Sequence, residues 1–192
     1  MKIIGLLRVF RAFVVCASFV EILSSPCVAW ALPRPGEQLP NVRLVDTYGK
    51  SLELRQLRGR PVLIFYENKQ SSKQNIPLKR ELSKLVNADP FVKKVISLVP
   101  VASAEGYDFW PARGFVIDAI RKEQVKVGAP IYCDWTGYVG KALSIDARAS
   151  NVVYLNREGR VVFVRQGPMG PSERGRLIEL LQAEVRKARG SR

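Results

Sequence analysis

The run at positions 62–66, VLIFY, is apolar at every position. A strand with one wet face alternates apolar and polar residues, so this unbroken run predicts a strand covered on both faces. Two covered faces require a sheet with a layer on each side, and that requirement restricts the rest of the chain. A polar stretch, ENKQSSKQN, follows the run. Residues 71–87 then carry helical spacing, with Ile76, Leu78, Leu82, Leu85 and Val86 on one stripe.

The remaining elements fit the same plan. VRLVD, the turn TYGK and SLELRQL precede the buried run, and VKKVISLVPVA holds the next strand. Residues 112–126 predict a second helix with Phe115, Val116, Ala119 and Ile120 inward. APIYC is a short strand, and YVGKAL a brief helix. VVYLN and RVVFVRQ are joined by Arg157, Glu158 and Gly159, the signature of a hairpin. A last helix starts at Pro171, where proline is favoured, and buries Leu177, Ile178, Leu180, Leu181 and Val185. Strands alternating with helices and closing on a hairpin predict an α/β three-layer sandwich with a mixed central sheet and a C-terminal helix.

The first 31 residues stand apart. Lys2, Arg8 and Arg11 lead an apolar stretch that ends in the A-x-A pattern of Ala29, Trp30 and Ala31. This is the pattern of a secretory signal cleaved near Ala31, leaving residues 32–192 as one domain. Glu21, Pro26 and the shortness of the apolar run argue against an uncleaved anchor, which needs about 20 apolar residues. An exported product of a cell with two membranes resides in the periplasm. Cys16 and Cys27 leave with the signal, so Cys133 alone remains and no internal disulfide can form.

The chain has no histidine, which excludes a Ser-His-Asp triad, a Cys-His pair and histidine-based zinc sites. No metal site and no cofactor is expected. The formal charge is +14, and losing Lys2, Arg8, Arg11 and Glu21 lowers it by two. Such an excess attracts anions. For an exported protein, nucleic acid is disfavoured, and a protein or an anionic envelope component is the expected partner. A basic, soluble surface with no specific partner fits the same charge.

The segment GEQLPNVRLVDTYGKSLELRQLRGRPVLIFY resembles the opening of exported members of the thioredoxin-like superfamily, and SNVVYLNREGRVVFVRQG resembles their terminal hairpin. Within that superfamily the chain is similar to YtfJ-type periplasmic proteins. Lys69, Ser71, Ser72 and Lys73, the FVIDAI helix, and the CDWTG turn followed by Gly140, Lys141 and Ala142 carry that likeness. Redox-active superfamily members start the helix with a C-x-x-C pair, and those positions here are Ser71 and Gln74. They also place a cis-proline before the strand matching VVYLN, where this chain has Ala149, Ser150 and Asn151. A non-proline cis bond costs about 3 kcal/mol, so a trans peptide is expected there.

Ser71 and Gln74 have the spacing of an S-x-x-Q capping box, in which each side chain bonds the other residue's backbone N–H. Such a cap carries no electrons. The resemblance therefore implies a binding or accessory protein without the redox pair, and no catalytic residue. Three other readings stay open. Lys69 and Lys73 flank the helix start with Ser71 and Ser72, which makes an anion site. The same serines and lysines could instead form a Ser-Lys catalytic pair, although a lysine base needs burial. Cys133 is expected as a core cysteine whose pKa the neighbouring Asp134 raises, with a single-thiol redox enzyme as the alternative. Tyr107, Phe109 and Trp110 are expected to pack under their connection, and residues 134–137 to form a turn rather than a calcium loop.

Overall fold

The computed structural model describes residues 32–191. The expected signal, residues 1–31, lies outside them. Seven strands and five α-helices follow in the order β1 (Arg43–Val45), β2 (Ser51–Glu53), β3 (Val62–Glu67), α1 (Ile76–Ala88), α2 (Phe91–Val95), β4 (Ser97–Ser103), α3 (Ala112–Val127), β5 (Tyr132–Asp134), α4 (Tyr138–Ala142), β6 (Asn151–Leu155), β7 (Val161–Gln166) and α5 (Pro171–Gly190). Strands β1 and β2 form a separate antiparallel pair. The main sheet has the order β5-β4-β3-β6-β7. β4 lies parallel to β3, β5 parallel to β4, and β6 and β7 close the sheet antiparallel.

β3 is buried at all six positions, and the period of two divides it between the layers. Val62, Ile64 and Tyr66 join Val99, Val101, Val139 and Ile145 on one face. Leu63 and Phe65 join Leu78, Val152, Leu177 and Leu181 on the other. Leu177, Leu181 and Val185 recur every four residues, so they line one side of α5 and seal that core. The covered strand expected from VLIFY is therefore the centre of the sheet.

Three local expectations are corrected. The helix expected over 71–87 is broken into a 3-10 turn, Ser71–Lys73, and α1. Pro77 is the reason. In a helix running on from Ser71 its ring would strike the carbonyl of Lys73, whereas in the first turn of α1 its missing N–H needs no partner. The stretch VKKVISLVPVA, expected to hold the next strand, opens inside the short helix α2. Finally, no residue of α3 is buried, and Phe115 is 72% exposed. The stripe expected to point inward lines an open groove, because the helix is tethered along its other side to Thr47 and Ile131.

Candidate functional site

The site builds where β3 ends. Glu67 is the last strand residue and, two places on from Phe65, points to the α1 side of the sheet. The chain then turns on Asn68, whose Oδ1 accepts the Gln70 N–H and the Ser71 N–H at 2.8 Å each. Ser71 Oγ returns the favour by accepting the Asn68 N–H at 2.9 Å. The reciprocal exchange expected between Ser71 and Gln74 is therefore made by Asn68 and Ser71 instead. The first residue before α1 is Asn75, with no side-chain cap, and Ser71 lies in the preceding turn. The capping-box assignment is corrected on both residues. Asparagine wins because its short side chain reaches the backbone two and three residues on, which closes the turn before a helix can begin.

Gln74 has a long-range role. Its Oε1 accepts the Ser150 N–H at 2.9 Å, tying the start of α1 to the loop before β6. Ser150 is fully buried. Its Oγ donates to Glu67 Oε1 at 2.5 Å and accepts from Asn75 Nδ2 at 2.8 Å. Glu67 Oε2 is taken by Lys79 Nζ at 2.7 Å, and the same ammonium donates to the Ser72 carbonyl at 2.8 Å. Asn75, 1% exposed, also donates to the Gly167 carbonyl at 3.0 Å and accepts the Met169 N–H at 2.9 Å. The only cis peptide among the described residues is Trp110–Pro111, so the bond before Ser150 is trans.

The sequence had singled out Ser71, Gln74 and Ser150 here, but not Glu67, Asn75 or Lys79. A polar residue closing an apolar strand is an ordinary boundary signal, and nothing local says that Glu67 meets a serine 83 positions away. Among the anion-site candidates, Ser71 is buried and bonded within its own turn, and Ser72 Oγ donates to the Lys69 carbonyl at 3.0 Å. Lys69 and Lys73 are exposed beside them. The lysine that enters the network is Lys79, and it meets a carboxylate and a carbonyl rather than a serine hydroxyl.

Cys133 is a free, buried thiol in β5. The register pairs Glu67 with Ala102 and Ala102 with Cys133, so the thiol lies two strands from Glu67. Burial, then the charge of Asp46, pushes its pKa up to about 11, against an opposing pull from Arg113. The carboxylate expected to act on it, Asp134, instead accepts from Tyr66 Oη at 3.0 Å and the Gly140 N–H at 3.1 Å. Successive side chains of a strand alternate faces, which separates Asp134 from Cys133. The aromatic connection is also corrected: Tyr107, Phe109 and Trp110 are 54%, 59% and 91% exposed.

The raised thiol sets a pH dependence. The folded protein holds Cys133 protonated above the ordinary thiol pKa of 9.0. Its contribution to stability is thus complete below pH 9 and disappears as pH climbs through about 11, because unfolding then releases a proton that the fold retains. Urea midpoints should fall across this window. Cys133→Ser should lessen the fall, leaving the part owed to Tyr66, Tyr132 and Tyr154, whose pKa values burial also raises, and alkylation of the native thiol at neutral pH should be slow until urea unfolds the chain.

No protein-family model and no curated protein matches the chain. Solved structures do. The thioredoxin domain of a thiol-disulfide oxidoreductase from Bacteroides vulgatus aligns with a TM-score of 0.54 at 16% identity, over 77% of this chain and 98% of that one. A secreted thiol-disulfide isomerase from Corynebacterium glutamicum aligns at 0.56 and 12%, over 77% and 85%. The exposed lipoprotein thioredoxin of Streptococcus pneumoniae aligns at 0.51 and 16%, over 75% and 99%. With its mixed five-stranded sheet, flanking helices and C-terminal helix, the chain has the thioredoxin-like α/β fold.

Proposed function

We propose that this is an exported, periplasmic protein of YtfJ type, with a signal at 1–31 and one domain at 32–192, that works by binding rather than by thiol–disulfide exchange. One observation carries the reading. At the strand-to-helix turn where the resemblance sets a cysteine pair, Ser71 and Gln74 are committed to internal hydrogen bonds. Thiol exchange needs an accessible thiolate, and Cys133 is buried two strands away with a raised pKa. Export is supported by the basic, apolar leader and its A-x-A pattern, and by the description of two structural neighbours as secreted or as a lipoprotein. Among the described residues no helix is long and apolar enough to cross a membrane.

The test is insulin reduction with dithiothreitol as the electron source, comparing the exported protein with its Cys133→Ser variant. Neither should accelerate the reaction above the reductant alone. Turnover by the wild type that vanishes in the variant would establish a single-thiol enzyme and overturn the proposal. Sequencing the N-terminus of the protein recovered after export should start near Leu32.

A further inference from the structure

Helix α3 is fastened along one side only. Arg121 Nη2 donates to the Thr47 carbonyl at 2.9 Å and its guanidinium lies 4.7 Å from the centre of the Tyr48 ring. Gln124 accepts the Ile131 N–H at 3.2 Å, and Arg113 sits 4.8 Å from the Trp135 ring. These contacts hold the helix to the β1–β2 turn and to the two ends of β5. They leave its stripe of Phe115, Val116, Ala119, Ile120 and Val127 facing the sheet across a gap.

The gap is an open groove. Its floor is the α1 side of two strands: Leu63 and Phe65 of β3, and Leu98, Pro100 and Ala102 of β4. Its far wall is α1, with Ile76, Leu82 and Val86. Leu98 on this floor is 37% exposed, whereas Leu63 and Phe65 are 2% and 5% exposed, so the open part of the floor is β4. A facing apolar surface of this extent marks a binding site.

The charges lie at the ends. Arg60, Lys69, Lys73, Lys79, Lys93 and Lys126 line the groove, against Glu67, Glu105 and Glu123. Glu67 is matched by Lys79 and Glu123 by Lys126, which leaves four basic residues against Glu105. Lys69 and Lys73 stand exposed where β3 leaves the sheet, and Arg60, Lys93 and Lys126 at the opposite end. A peptide laid along the apolar middle would need partners for its backbone. An acyl chain needs none, and its anionic head group complements the lysines.

We propose that the groove between α1 and α3 holds one anionic phospholipid, its acyl chains on the β3–β4 floor and its phosphate at Lys69 and Lys73. This rests on the binding role proposed above and names the anionic envelope component.

The probe is a vesicle of phosphatidylcholine and phosphatidylglycerol in equal parts. The exported protein is incubated with it, separated by sedimentation and weighed by native mass spectrometry. One phosphatidylglycerol per chain is expected. The double variant Lys69→Glu, Lys73→Glu, exposed at both sites and expected to fold, should carry about thirtyfold less, since two lysines near an anionic lipid contribute on the order of 1 kcal/mol each. Ala119→Trp should obstruct the groove beside α3 and lower carriage. Several results would overturn the proposal: a lipid-free chain, phosphatidylcholine taken equally well, a dimer without lipid, or protein that sediments with the vesicles yet carries none away. So would double-variant carriage equal to wild type. Insulin reduction by the wild type would sink the non-redox reading without touching the groove, whereas failed carriage without insulin reduction removes only the lipid.

Discussion

Replacing Asn75 by leucine should cost about 2–5 kcal/mol of folding free energy, read as a lower urea midpoint at unchanged slope. The two side chains share a branched outline with the same number of heavy atoms, so the main loss is of hydrogen bonds. Asn75 accepts the Met169 N–H and donates to the Gly167 carbonyl and to Ser150 Oγ. Leucine strands both backbone groups in a site that is 1% exposed, and each buried unpaired group costs roughly 1–3 kcal/mol. Ser150 loses less, because its hydroxyl keeps its bond to Glu67. Gln74→Ala should cost less as well. It frees a single N–H, that of Ser150, and Gln74 itself is exposed. Were the capping box real, Gln74 would act within its own turn and Asn75→Leu would be close to neutral.

Gly140→Ala should be nearly as severe, at about 3 kcal/mol, and thermal or urea unfolding will show it. A Cβ on Gly140 would meet the Tyr66 hydroxyl, with Tyr66 Cζ at 2.8 Å and the Ile145 carbonyl at 3.0 Å. Tyr66 cannot give way cheaply. It is 2% exposed, and its hydroxyl donates to Asp134, which also accepts the Gly140 N–H. Overpacking of this kind costs roughly 1–3 kcal/mol, and displacing Tyr66 leaves a buried carboxylate short of a donor. Gly114→Ala is the control. It lies in α3 with nothing within 4 Å of the added carbon, so it should stabilise by about 0.5–1 kcal/mol through helix propensity.

Much of the architecture was legible because it is written in local periods. VLIFY announced a doubly covered strand, the spacing of Leu177, Ile178, Leu180, Leu181 and Val185 announced the sealing helix, and Arg157, Glu158 and Gly159 the hairpin. The turn after β3 was legible only in part. Its polar character was plain, but the choice between two reciprocal bonding patterns, Asn68 with Ser71 or Ser71 with Gln74, depended on where Pro77 allows a helix to begin. The inward stripe of α3 was found correctly as a stripe. What it faces was not, because the tethers that hold the helix off the floor run to Thr47, Tyr48 and Trp135, far away in the chain.

Residue order alone settled the layers, the covered central strand and the lack of a second cysteine beyond residue 31, since each is a property of neighbours along the chain or of composition. The joining of Glu67, Asn75 and Ser150, the burial of Cys133 and the open groove beneath α3 came from strand register and helix placement. Contacts between residues 75 to 94 positions apart, such as Asn75 with Ser150 and with Met169, leave no local trace. A buried polar side chain finds its partner only once the sheet has set the distance between them.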